Sequence, residues 1–165
     1  GAATKTSKSQ LFHYFPGGKH ELVRAIAECQ GERVLAAQRP TIDDLGSWAS
    51  WARWRDAVVT YYARTDGVTG CPIGALTNEA APLDPVLAAE LNAYFQRWAG
   101  LLADGLRRLR ARGLVDDRVD PEQLATELLA AVQGGLLLSR AEGTLRPLEQ
   151  ALDGTLAHLR AYAAR

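Results

Sequence analysis

Residues 5–22, Lys-Thr-Ser-Lys-Ser-Gln-Leu-Phe-His-Tyr-Phe-Pro-Gly-Gly-Lys-His-Glu-Leu, gather the side chains best suited to a polyanion. All three lysines of the chain, Lys5, Lys8 and Lys19, lie here, and no acidic residue precedes Glu21. The spacing predicts a short helix over about Ser7–Tyr14, with Thr6 or Ser7 as its N-cap. Leu11 and Phe15, four residues apart, face the body. Ser7, Lys8, Ser9, Gln10 and His13 face outward near the first turn, flanked by Tyr14. Such a helix fits a DNA groove. Gln pairs donor and acceptor with adenine, Lys reaches the guanine acceptors, and Ser or Thr contacts bases or phosphate. After the Pro16-Gly17-Gly18 break, Lys19 opens the next helix, where free N–H groups and the dipole favour a phosphate and His20 adds to it.

The elements that must hold this segment read as helix throughout. Ala, Leu, Arg and Glu dominate, Val/Ile/Thr alternation is nearly absent, and breaks fall at Pro or Gly clusters. A helix over about Lys19–Ala37 places Leu22, Ile26, Cys29 and Val34 inward, and Pro40 stops it. A third, about Thr41–Arg64, opens on the capping signal Thr41-Ile-Asp-Asp. Residues 65–74, with three glycines and a proline, are expected as a loop. A long helix then runs from beyond Pro82 and Pro85 to about Arg112, its apolar positions from Leu87 to Leu109 at helical spacing. Two more, about Pro121–Glu142 and Leu145–Ala164, close the chain. The first of these is apolar over more than one face, which a homodimer through the last two helices explains. Gly134-Gly135 within it fits a close helix approach at that seam.

Charge confines any DNA contact to the N-terminal end. Without its first 20 residues the chain keeps 16 arginines against 19 acids, a net of −3. A body of that sign cannot hold nucleic acid over a wide surface. No run of apolar residues spans a membrane and no signal peptide is visible. Cys29 and Cys71, far apart, make no disulfide framework, so a reducing cytoplasm is the expected compartment. Both read as packing thiols. His13, His20 and His158 lack metal-ligand spacing, and neither a cofactor motif nor a nucleophile–base pair can be assembled. Trp48, Trp51, Tyr62, Tyr94 and Trp98 either line an apolar effector cavity or pack the core. Trp54 and Tyr61 extend that stripe. Asn78, Gln96 and Arg53 are candidate polar anchors that read more simply as surface.

The stretch from Ala2 to Val23 resembles the second half of the DNA-binding domain of TetR/AcrR-family transcriptional regulators. The family pattern is a short turn, Ser-Lys-x-x-Leu-Tyr-x-x-Phe, a Lys after a brief gap, and an apolar fourth helix. Leu11, Phe15, Lys19 and Leu22 match it, and Phe12 replaces a tyrosine that often contacts phosphate. Gly70-Cys-Pro-Ile-Gly-Ala-Leu76 is found in some branches. The resemblance implies an all-α fold: a partial helix-turn-helix with its linker helix over residues 1–37, then a ligand-binding and dimerisation domain over residues 38–165. It implies a homodimer that represses from a double-stranded operator until a small apolar effector releases it. The family also places a full helix and most of a second before the turn, of which only Ala2-Ala3-Thr4 stand here, so the gene product is expected to extend further. The competing reading is a helical ligand-binding or dimerisation module that does not read DNA.

Overall fold

The computed structural model describes residues 13–64 and 70–164, and among them the only extended pairing is an isolated bridge, Val115 with Ala163. Six α-helices lie wholly within the described residues: α1 (Lys19–Ala36), α2 (Trp48–Arg64), α3 (Pro72–Glu79), α4 (Pro85–Ala111), α5 (Pro121–Glu142) and α6 (Arg146–Arg160). Short 3-10 turns at Thr41–Asp44 and Ala81–Leu83 precede α2 and α4.

Local chemistry sets the helix ends. Asp84 and Asp120 each stand before a proline at the first helical position, and each carboxylate accepts two backbone N–H groups of the opening turn, at 3.0 and 3.1 Å. Gly143 takes the left-handed conformation, φ 73°, that ends α5. α5 and α6 pack most extensively on each other, α4 lies against α5, and α2 reaches α6. α1 rests on α3 and α4. The core between them holds Trp51, Trp54, Trp98, Leu91, Leu102, Leu106, Leu128 and Leu136, all essentially inaccessible. The apolar stripe expected on the long helix is therefore the buried face of α4.

Three expectations are corrected. The helix expected over Thr41–Arg64 is broken: after the 3-10 turn, Leu45 and Gly46 leave helical geometry and α2 starts only at Trp48. The working cap is Ser47, whose Oγ accepts the Ser50 N–H at 3.2 Å while Ser50 Oγ accepts the Ser47 N–H at 3.0 Å. Thr41 instead donates back to the Gln38 carbonyl, Ile42 and Leu45 are driven into the core, and Arg112 reaches the Gly46 carbonyl at 2.7 Å. Secondly, the loop expected over 65–74 gives way to α3 at Pro72, with Cys71 as N-cap.

Thirdly, Ile26 and Cys29 face outward, and the buried face of α1 is Ala27, Gly31, Val34 and Leu35. A Cβ on Gly31 would stand 2.6 Å from the Tyr94 ring, so small residues let α1 lie close on α4. That face lies one residue, about 100°, from the one the larger side chains suggest.

Gly134 and Gly135 also separate. A Cβ on Gly135 would meet Leu148 Cα at 2.8 Å, so it serves the α5–α6 crossing within one chain. Gly134 faces open space on the outer side of α5.

Candidate nucleic-acid interface and effector cavities

Of the side chains expected at DNA, Thr6, Ser7, Lys8, Ser9 and Gln10 lie outside the described residues. His13, Tyr14 and Lys19 are described, and all three are exposed at the same end of the molecule. The His13 and Tyr14 rings meet edge to face with centroids 5.6 Å apart. The turn behind them is closed by the Gly18 N–H donating to the Phe15 carbonyl at 2.9 Å, with Gly18 at φ 73°. The Gly17 N–H, ahead of α1, donates to the Glu21 carboxylate at 2.6 Å, and no side chain caps the helix. Lys19 therefore stands at a helix N-terminus with free N–H groups.

α1 joins this end to the body and is held at three levels. At its first turn, His20 Nδ1 and Arg24 Nη2 lie 3.4 and 3.5 Å from the two Asp84 oxygens. In the middle, Arg97 of α4 donates to both oxygens of Glu32, at 2.5 and 3.2 Å, which lowers the Glu32 pKa. Just past its end, the buried Gln38 accepts the Trp54 indole N–H at 2.8 Å and donates to the Val34 carbonyl at 2.9 Å.

Asp84 thus caps α4 and grips α1 with one carboxylate. The Leu87 N–H, then His20, Arg24 and the Val86 N–H, hold its carboxyl below the usual carboxylate range against an opposing push from burial. A depressed folded-state pKa contributes stability above the unfolded value, about 3.9, and that contribution is lost as pH falls through the lower folded value. Asp84→Asn keeps a capping oxygen and removes the titration. Urea midpoints should accordingly show the variant less stable than the wild type at neutral pH, with the gap narrowing on acidification below about pH 4. A gap that is constant with pH would contradict this role.

The aromatic candidates are distributed rather than gathered. Trp51 and Trp98 are buried in the core, their indole nitrogens without a partner among the described residues, and Trp48 packs half-buried at its edge. Tyr62 lines a cavity of about 600 Å³ with Tyr61, Gln30 and Arg33; burial, then the neighbouring Cys71 thiol, pushes its phenol pKa well up. Tyr94 lines a separate groove of about 580 Å³ between α1 and α4, walled by Phe15, Glu21, Arg24, Glu28 and Arg97. A third cavity, about 330 Å³, lies between α3, α4 and α5 and takes in Cys71, Asn78, Phe95, Gln133, Leu137 and Arg140. Gln96 and Arg53 are on the surface, and Asn78 is exposed at the rim of that third cavity. Sequence reasoning did not single out Gln133 or Arg140, which stand far from Cys71 along the chain and carry no motif.

Residues 52–155 match the family described as Tetracyclin repressor-like, C-terminal domain. The chain belongs to the TetR family of transcriptional regulators. An uncharacterized HTH-type transcriptional regulator of Mycobacterium tuberculosis is 31% identical, the match covering 86% of this chain and 72% of that protein. The crystal structure of regulatory protein TetR from Rhodobacter sphaeroides superposes with a TM-score of 0.85 at 23% identity, over 95% of this chain and 84% of that one. A TetR transcriptional regulator from Chloroflexus aurantiacus gives 0.79 at 25% identity, over 98% and 82%. The regulator is thus a DNA-binding protein of the helix-turn-helix class and not an enzyme. Among its described residues no helix is long and apolar enough to cross a membrane, and no group of three or more His, Cys, Asp and Glu is placed to hold a metal ion.

Proposed function

We propose that the regulator is a homodimeric repressor that leaves its operator when a small apolar molecule enters the helical body. In this reading residues 1–37 are the reading head with its linker helix, and residues 38–165 bind effector and partner. The observation that carries it is the attachment of α1. The helix bearing the lysine-rich end is fixed to α4 by Asp84 and Glu32 and to α2 by Gln38. A ligand that favours one arrangement of α2–α4 therefore changes the direction of α1, and it shifts operator affinity by its preference for that arrangement. Dimerisation through α5 and α6 is supported by their outer face, where Thr126, Ala130, Gly134, Leu137, Leu138 and Ala141 are all exposed and none is charged. Two such copies would set recognition helices on half-sites about 34–36 Å apart.

Within the reading head, Thr6, Ser7, Lys8, Ser9, Gln10, His13, Tyr14 and Lys19 are the proposed operator contacts, with Lys19 on a phosphate at the start of α1. Selection of binding sites from random duplex DNA with the full-length protein tests this. Gln10→Ala or Lys8→Ala is expected to weaken the selected site by ~1–3 kcal/mol, about 5- to 150-fold, where that residue makes a bidentate base contact. Unchanged specificity in both variants would remove the assignment.

A further inference from the structure

A histidine–glutamate pair bridges α5 and α6 on the side that α2 and α4 leave open. His158 of α6 stands with Nδ1 3.6 Å from Glu127 Oε2 of α5, and the other Glu127 oxygen accepts the Gln123 amide at 3.0 Å. One side of the α5–α6 seam packs on the body, and the partly exposed His158 and Glu127 lie on the other. Their places along the helices put both in the face proposed above as the dimer contact. Glu127 is about three turns before Leu138 and on the same line of α5. His158 follows the exposed Ala157 and stands one turn beyond Gly154. The opposite flank of α6 is turned to α2, where Asp153 accepts from Arg55 at 2.8 and 3.0 Å.

Around His158, Glu127 is the charge without another ionic partner. Tyr162 packs on its ring with centroids 5.3 Å apart. The loop before α5 meets that end of the chain through the Asp116 N–H on the Tyr162 carbonyl, and its Asp116 and Arg118 are bonded to each other. Glu122, earlier on α5, is engaged by Arg107 of α4. Arg55, Asp56, Asp153 and Arg160 line a surface hollow on the α2 flank.

We propose that this pair makes dimerisation pH-dependent, the dimer taking up a proton at His158 of each copy and loosening as the solution turns alkaline. The proposal rests on the dimer through α5 and α6 given above. Its cause is the cost of burying a lone charge. A carboxylate withdrawn from water by the partner's surface is costly unless it is paired. With His158 protonated, each copy buries a matched pair. With His158 neutral, each buries a Glu127 charge that only Gln123 eases. The dimer therefore binds the proton more tightly than the free chain. That contribution to affinity is present at low pH and is lost as pH rises through the range in which histidine titrates, about pH 5–8. Operator affinity follows it, because only a dimer spans two half-sites.

Sedimentation equilibrium of the full-length protein at about pH 6 and about pH 8, at one ionic strength, tests it without DNA. The dimer dissociation constant is expected to rise about fivefold or more between the two, within the limit of about a hundredfold per pH unit that two linked protons allow. His158→Gln keeps a donor beside Glu127 and removes the titration, so its constant should be nearly independent of pH. Glu127→Gln should reverse the dependence, because protonated His158 is then the unpaired charge and the dimer tightens toward pH 8. Both side chains are on the surface of the single chain, and circular dichroism at each pH checks that helicity is unchanged. A smaller rise in the wild type overturns the proposal. So does a His158→Gln protein that keeps the wild-type dependence, or a Glu127→Gln protein that still loosens toward alkaline pH. Leu138→Glu separates this proposal from the reading it rests on. If that variant stays dimeric, the interface through α5 and α6 falls and the switch falls with it. If it is monomeric while the wild-type dimer ignores pH, the interface stands and the switch alone falls.

Discussion

On the proposed dimer through α5 and α6, Leu138→Glu is expected to give a folded monomer with greatly weakened operator binding. Leu137 and Leu138 are 67% and 56% exposed, unusual for leucine on a helix whose inner face is already packed against α4 and α6. They continue a line of Thr126, Ala130 and Gly134 that runs along the outside of α5, and Gly154 and Ala157 are exposed on the neighbouring α6. Small residues let two such helix pairs approach closely, and a two-fold axis brings the same patch of each copy together. In the proposed dimer each charge introduced at Leu138 is buried without a partner, and symmetry imposes it twice. Anchor positions at the centre of an interface are worth ~2–4 kcal/mol each, so the pair weakens dimerisation by roughly 10³-fold or more. Within a single chain the substitution sits on the free surface and changes stability by no more than about 0.5 kcal/mol. Sedimentation equilibrium reads the first effect and urea unfolding of the monomer the second. A variant that stays dimeric would place the interface elsewhere.

How far the sequence disclosed this molecule depends on whether each signal was local. The start of α5 was legible at Pro121, because a proline at the first helical position needs nothing from the rest of the chain, whereas the caps Asp84 and Asp120 were not singled out. The start of α2 was misplaced for the converse reason. Thr41-Ile-Asp-Asp has the local form of a cap, but burial of Ile42 and Leu45 and the approach of Arg112 to Gly46 bend the chain away before a helix can propagate. Likewise the inward face of α1 is decided by Gly31 lying under Tyr94, a contact between residues that hydrophobic periodicity cannot pair. The segment expected at DNA is read from residue types alone, and Thr6 to Gln10 within it lie outside the described residues. By contrast, the α3–α5 cavity draws on Cys71, Phe95 and Gln133, which only the fold assembles.

The interior bond between Gln38 and Trp54 is expected to be the most sensitive polar contact in the described structure. Gln38 is 2% exposed and Trp54 not at all, and the Gln38 amide satisfies both the indole N–H and the Val34 carbonyl. Gln38→Leu conserves most of the volume but strands the indole donor and removes the amide bond to the Val34 carbonyl. An unsatisfied buried group costs ~1–3 kcal/mol, so a loss of that order or somewhat more is expected in urea unfolding. Trp54→Phe alone strands the Gln38 oxygen and leaves a void, for a loss of similar size. The double variant removes both partners at once, and its destabilisation should be clearly smaller than the sum of the two. Strict additivity would mean that the bond carries none of the effect. The functional consequence follows from leverage: α1 has 18 residues, about 27 Å of helix, between Gln38 and the lysine-bearing end. Loosening the Gln38 anchor lets that lever swing, and operator affinity should fall in Gln38→Leu and recover in part in the double variant, where the anchor is repacked as an apolar contact.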